Sequence, residues 1–290
     1  MERIAVPSLL VLAMAMGCAN DRDSAHDIVS EKSQPMTEQA DAHGTTMPTY
    51  PSTDEWSHAN EKQKARAKRS FVELRMRHVP VYHGPLFVND EDRTTLQTPQ
   101  DVALRTLVLW AVELRAEGVP RAEAREIVDN LDLWEYVSAD EKRFLDDETP
   151  SPEECQKLVW RLESLWVLMW SLGYIDELDW PNGMCDVSVL AGMIAEIEDD
   201  PEFITSAKLR SATEILDAQD LIMRIHWAAR DAYLHQGGTI PEELDWSSDP
   251  DYVPATVCAG GGVVEQRHKV LNWLVNYLSP ESWDDVDTPA

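Results

Sequence analysis

The chain has few basic side chains for its length. Its 290 residues include 25 Lys and Arg against 53 Asp and Glu, so the formal net charge is −28. This balance argues against nucleic acid as a partner, because such binding needs a basic face, and against electrostatic docking on an anionic membrane. Two interpretations of the charge stay open: a surface that attracts a cationic partner, and an acidic surface that only contacts water.

Cysteine is also scarce, and its spacing excludes common motifs. Cys155, Cys185 and Cys258 lie far apart, and none belongs to a Cys-x-x-Cys pair, which argues against a zinc knuckle or a thioredoxin-type site. In an exported protein two of the three could form a disulfide and leave one free thiol. The other interpretation is three buried thiols.

The N-terminus resembles a signal peptide of the lipoprotein type. An apolar run over residues 4–16 is too short to span a membrane as a mature helix, and Gly17 and Cys18 follow it. We predict that residues 1–17 are removed and that Cys18 is lipidated, which places the protein in the cell envelope. The alternative is an ordinary hydrophobic N-terminus on a cytoplasmic protein.

Residues 18–55 are polar and show scarcely any apolar periodicity. A segment of this composition cannot bury enough apolar surface to offset the entropy of ordering the chain. We therefore predict a flexible, disordered tether, followed by a folded domain over residues 56–290. Most of the 11 Trp residues lie in that domain, which indicates where the core is.

Helix start and stop signals recur after residue 97. Thr98 before Pro99 predicts one helix start, and Gly118 predicts its end. Further starts are indicated by Pro120, Ser138 with Glu141, Ser151 with Glu154, Asp186, Ser211 with Glu214, and Gly262. We expect residues 152–173 to form one helix and residues 263–278 the last. The sequence predicts a single all-α domain of about eight helices, in which residues 86–96 could form a small β-hairpin.

Polar side chains interrupt helices that are otherwise apolar enough to be buried. A buried charge is costly unless it is paired, so these side chains either pair with one another or serve a site. They form the candidate polar cluster: Arg161, Glu163, His226, Asp231, Arg267, His268 and Asn272.

The spacing of these residues suggests how each one is placed. Arg161 and Glu163 are two residues apart on a helix, so they should meet different neighbours. His226 lies among apolar residues and is expected in the core. We predict that Arg267 and His268 share one buried or half-buried cluster with an acid from another helix, drawn from Glu163, Asp217, Asp220 and Asp231. Asp217, Asp220, Arg224 and Asp231 share one helix face, which we interpret as solvated.

The last helix places Glu265, His268, Asn272 and Asn276 on one face. Glu-x-x-His is half of the di-iron bundle motif, which needs a second copy and two more Glu on other helices; the other copy here, Glu55 and His58, lies at the boundary of the predicted tether, and the chain has no Gly-x-Ser-x-Gly nucleophile motif. The sequence therefore predicts no metal and no cofactor, and it indicates no reaction.

Two functions remain open. The first is a membrane-tethered interaction module whose acidic surface meets an unknown partner protein. The second is a small-molecule-binding protein or enzyme with a polar pocket formed by Arg161, His226, Arg267 and His268. In both, the chain reaches the membrane only through its N-terminal lipid.

The helical segments resemble the bacterial domain of unknown function 4272 over about residues 61–288. Order and spacing fit that family in several segments: 159–173, 175–178, 185–187, 214–231, 262–274 and 283–288. The chain departs from it at Glu265, where such proteins often have Tyr, and this weakens any role for Glu265. The resemblance implies an all-α domain and no established activity.

The lipoprotein interpretation is testable by cell fractionation. If Cys18 is the lipidated N-terminus, Cys18→Ala should move the protein from the membrane fraction to the soluble fraction, because the acyl chains that anchor it are lost. Cys155→Ala should stay in the membrane fraction. A wild-type protein that is soluble and retains Met1 would exclude the lipid anchor.

Overall fold

The computed structural model describes residues 56–82, 84–198, 200–235 and 262–290. Cys18, Cys258, the expected signal peptide and the whole of the expected tether lie outside these residues. The fold is all-α, as predicted, and no β-strand occurs in the described part. Its helices are α1 (Glu61–Met76), α2 (Pro99–Ala116), α3 (Arg121–Asn130), α4 (Ala139–Asp146), α5 (Pro152–Val159), α6 (Arg161–Ser171), α7 (Val187–Glu198), α8 (Phe203–Ser206), α9 (Ala212–His235) and α10 (Val263–Leu274).

Side-chain caps start several of these helices where the sequence predicts. The Thr98 side chain accepts a hydrogen bond from the N–H of Asp101 and starts α2. Ser138 and Glu141 form a reciprocal capping box at the start of α4. At the end of α2, Gly118 has φ of 99°, and the N–H of Val119 donates to the carbonyl of Leu114. This left-handed turn explains why glycine ends the helix.

The β-hairpin expected over residues 86–96 is wrong. Glu91–Arg93 forms one turn of 3₁₀ helix, capped by the side chain of Asp90. The flanking carbonyl groups bind side chains instead of a partner strand: Leu86 accepts from Arg224, Val88 from Gln63, and Asn89 from Arg66. Because α1 and α9 supply these donors, the segment stays extended without forming a ladder.

Two helix ends also differ from the prediction. Residues 152–173 form two helices rather than one, since the chain breaks at Trp160 between α5 and α6. The last helix ends at Leu274, and Asn276 has φ of 51°. The Asn276 side chain donates to the Thr95 carbonyl and accepts from Gln97, which ties it to the segment before α2. Asn276 therefore leaves the face that it was expected to share with His268.

Helix α6 lies at the centre of the fold. Residues 162–171 are all buried, and α6 packs against both α2 and α10. Helix α9 packs against α10 and α1, while α3, α4, α5 and α8 pack on α2. Each fully buried Leu, Val or Met contributes roughly 1.5–3 kcal/mol to folding. This arrangement brings the charged residues of α6 and α10 into the core.

Two further findings concern cysteines and membranes. Cys155 and Cys185 are free thiols, the first half-buried and the second buried. In the described part of the chain, no helix combines the length and the apolar character that crossing a bilayer requires.

A buried acid on α2 has an unusual protonation state. Glu113 is 2% exposed, and burial together with the negative charge of Glu117 raises its pKa to about 8. The unfolded chain ionises this group above about 4.5, whereas the folded chain keeps it protonated up to about pH 8. In that window the folded state binds more protons, so this group lowers stability as pH rises.

Glu113→Gln should remove this pH dependence. The amide cannot ionise, so the stability of the variant relative to the wild type should increase between pH 4.5 and 8, by a few kcal/mol in all. Urea unfolding at a series of pH values measures the difference. Glu126→Gln, at an exposed position of α3, should follow the wild-type curve. Parallel curves for the wild type and Glu113→Gln would show that Glu113 is ionised in the folded protein.

Candidate functional site

Glu141 binds two arginines inside the fold. It is the third residue of α4, where one carboxylate oxygen, Oε2, accepts from the N–H of Ser138 at 3.0 Å. Its other oxygen, Oε1, accepts from Arg105 of α2 and from Arg161 of α6. Burial alone would raise the pKa of Glu141, but the two guanidinium groups outweigh burial and lower it to about 2. Glu141 is therefore ionised and links three helices.

Glu163 forms a second buried ion pair on the other side of α6. Its Oε2 accepts from Nε of Arg267, on α10, at 2.8 Å, and its Oε1 accepts from the N–H of Cys185. Arg267 also donates to the carbonyl of Asp179 at 2.7 Å and to its carboxylate at 3.1 Å. Arg161 and Glu163 thus meet different partners, and α6, α10 and the loop before α7 are joined at one point.

The acidic stripe on α9 is not the solvated face that its spacing suggested. Asp220 and Arg224 are buried and paired at 2.8 Å, and Ser70 of α1 donates to Asp220 at 2.6 Å. One turn earlier, Asp217 accepts from Arg66 and Arg69 of α1. The stripe is the contact between α1 and α9, and packing of α1 desolvates it.

His226 and His268 contact each other between α9 and α10. Both rings are buried, and their Nδ1 atoms are 2.9 Å apart in an edge-to-face arrangement. A hydrogen bond of this kind requires one ring to donate and the other to accept, so the two rings hold different tautomers. Burial lowers the pKa of His226 to about 4, helped by Arg230, and that of His268 to about 3, helped by His226. Such weak bases are poorly matched to proton transfer near neutral pH.

The remaining candidates lie apart from these pairs. Asn272 is buried, accepts from Gln219 at 2.9 Å and donates to the carbonyl of Asp287 at 2.9 Å, so it joins α9, α10 and the C-terminal segment. Asp231 lies half-buried in the C-terminal part of α9. Arg267 and His268 are both buried, but His268 meets another histidine rather than an acid. The candidate residues therefore bind several separate partners.

Sequence reasoning missed residues that lie next to Arg161. Arg105 is a buried cation in a largely apolar helix, and this was the available signal. Glu141 was recognised only as a cap. Trp283 packs its ring under the Arg105 guanidinium at 4.2 Å, and the Lys269 ammonium lies 5.4 Å from the same ring. No local pattern indicates that these residues from α2, α4, α10 and the C-terminal segment come together.

Within the residues that the structure describes, no group of three or more His, Cys, Asp or Glu side chains is arranged to hold a metal ion.

The comparison with protein families identifies the class to which the chain belongs. The model of the family described as a domain of unknown function, DUF4272, matches residues 66–286, which is well over half of the chain. The chain is a member of this family. Searches of curated proteins and of solved structures return no match.

Glu141→Gln should strongly destabilise the fold. The change leaves the buried guanidinium of Arg105 without its counter-charge, and breaking a buried ion pair in this way typically costs about 3–5 kcal/mol. Thermal and urea unfolding at pH 7 measure the loss. The exposed Glu281→Gln variant is the control and should change stability by less than about 0.5 kcal/mol. A stability for Glu141→Gln within that same range would show that Glu141 does not hold α2, α4 and α6 together.

Proposed function

We propose that this helical domain is an interaction module that binds a basic segment of a partner protein at a cleft whose lining residues are flanked in the sequence by exposed acids. The observation that favours this function is the division of charge in the fold. Most of the charged residues of α6, α9 and α10 that the sequence singled out are paired inside the fold, with one another or with residues of α1 and α4, whereas many of the acids that give the chain its net charge of −28 face solvent. Charges used in internal pairs are poor candidates for partner contacts.

The cleft lies between the end of α6 and the end of α8. Gly173 has φ of 87°, a conformation that other residues rarely adopt, and it turns the chain out of α6. The side chain of Tyr174 follows, 42% exposed, with its ring 5.9 Å from that of Phe203. The cleft has a volume of about 320 Å³ and is lined by Leu172, Gly173, Tyr174, Ser206, Ala207 and Lys208.

Exposed acids flank this cleft in the sequence. Asp176 and Glu177 follow Tyr174, and Asp200 and Glu202 precede α8; all four are exposed. Burial and the charge of Asp200 both raise the pKa of the Tyr174 phenol, which indicates that this carboxylate acts on the ring. An exposed aromatic side chain beside acids suits a segment rich in Lys or Arg, since complementary charge steers the encounter and the ring provides an anchor.

The proposal includes the location. A lipid on Cys18 and a tether over residues 18–55 would hold the domain close to a membrane surface without requiring the domain itself to bind lipid. An acidic domain held in this way would be available to basic segments of other proteins at that surface.

A small-molecule pocket formed by Arg161, His226, Arg267 and His268 is the alternative, and the geometry supports it less. Arg267 directs its donors to Glu163 and Asp179, and the two histidines bind each other. A ligand would have to displace these buried contacts.

The interaction proposal is tested with a fluorescent oligolysine peptide and anisotropy measurements at physiological ionic strength. Asp176→Asn/Glu177→Gln should weaken binding by about fivefold, which corresponds to about 1 kcal/mol. Glu123→Gln/Glu126→Gln removes the same charge from the exposed face of α3 and should have a much smaller effect. Tyr174→Ala should weaken binding without any change of charge. Equal losses in the two double variants would mean that net charge alone attracts the peptide, and the cleft would be rejected as the site.

A further inference from the structure

A cluster of cations lies where α2, α4, α6, α10 and the C-terminal segment meet. It contains three basic side chains, Arg105, Arg161 and Lys269, against two carboxylates, Glu141 and Asp284. Positive charge is therefore in excess at this one place, in a chain whose net charge is −28. Like charges repel, so holding three basic side chains this close together costs free energy unless other groups offset the repulsion.

Both carboxylates of the cluster are engaged. Glu141 accepts from Arg105 and Arg161 through the same oxygen and from Ser138 through the other. Asp284 accepts from the Ser138 hydroxyl at 2.7 Å and from the N–H of Asp140 at 3.0 Å, so it caps α4. Neither acid is committed to Lys269.

The cluster has more donors than its own acceptors satisfy. Arg161 contacts Glu141 through Nη1, and its side chain is 13% exposed. No hydrogen bond from Lys269 Nζ to any described residue is present; its contact is the face of the Trp283 ring at 5.4 Å. Arg105 Nε and Trp283 Nε1 are buried donors without an acceptor. Buried donors are nearly always hydrogen-bonded in proteins, so this cluster is an exception that an added acceptor group would correct.

The charges around Lys269 also favour a bound anion. Burial lowers the pKa of Lys269 to about 8, and the neighbouring charge that lowers it most is that of Arg161. Asp284 and Glu141 offset this only in part. The ammonium is therefore charged near pH 7 but lies in a field that disfavours the charge. A bound anion would relieve this repulsion.

We propose that Arg161 and Lys269, supported by Arg105 and Trp283, form a binding site for a small oxyanion, with a phosphate group as the best-fitting class. A guanidinium group presents a planar fork of donors that matches two oxygens of such a group, and an ammonium group supplies a point charge for a third. We name this place the Arg161–Lys269 site. It is independent of the cleft beside Tyr174, since Arg161 starts α6 and the cleft lies at the other end of that helix, and it takes the opposite charge.

The site is tested first by titrating the full-length protein with inorganic phosphate while chloride holds the ionic strength constant. Binding followed by calorimetry should be saturable in the wild type. Lys269→Met, which preserves most of the side-chain length, should weaken it at least tenfold, and Lys269→Arg should largely retain it. The matched control is Lys157→Met at an exposed position of α5, which removes the same charge and should bind as the wild type does. No saturable binding in the wild type, or equal binding by Lys269→Met, would overturn the proposal.

A second measurement does not depend on the folding of a variant. In wild-type protein with ¹³C-dimethylated lysines, the Lys269 signal should titrate near pH 8 and move to higher pH when sulfate is added, because sulfate keeps its charge over this range. Affinity for sulfate should fall as pH rises through the pKa of Lys269. A Lys269 signal that does not respond to sulfate or phosphate would exclude the site. Phenyl phosphate compared with inorganic phosphate distinguishes the source: tighter binding of the ester indicates an organic phosphate, and equal binding indicates the free ion.

Discussion

The requirement that a buried charge be paired decides how the central helices meet. Helix α6 has an arginine at its start and a glutamate two residues later, and both are drawn into the core with it. Arg161 is satisfied by Glu141 on one side, and Glu163 is satisfied by Arg267 on the other. Because a lone buried charge would cost several kcal/mol, these two pairs restrict which faces α2, α4 and α10 can present to α6. The apolar residues of α6 then pack in the register that the ion pairs allow.

Because many basic residues are used in ion pairs, acidic and basic groups are distributed differently over the domain. Acids that face solvent give the domain its overall charge, and they flank the cleft beside Tyr174. Basic residues lie mostly in ion pairs, and the Arg161–Lys269 site is a place where they exceed their partners. The cleft beside Tyr174 and the Arg161–Lys269 site lie at opposite ends of α6. These two places are the basis of the two proposals, a basic protein segment at the cleft and a phosphate group at the Arg161–Lys269 site.

Much of the fold could be predicted because helix boundaries depend on local contacts. The caps at Thr98 and Ser138 bind N–H groups three residues away, so their effect is visible in a short stretch of sequence. The region over residues 86–96 failed for the opposite reason. Its carbonyl groups are bound by Arg66 and Arg224, which lie on helices remote in the sequence. A sequence pattern that predicts extended backbone does not show whether the carbonyl groups will accept hydrogen bonds from a neighbouring strand or from side chains.

By itself, the sequence determined the helical class and the presence of charges that folding must bury, because apolar periodicity and caps are local properties. Only the tertiary structure decided which charges meet. It paired Arg161 with Glu141, a residue recognised from sequence only as a cap, and it placed His268 against His226 rather than an acid. It also brought Lys269 beside Arg161 and Trp283. Periodicity shows which face of a helix is buried, but the partner of that face depends on how helices far apart in the chain pack together.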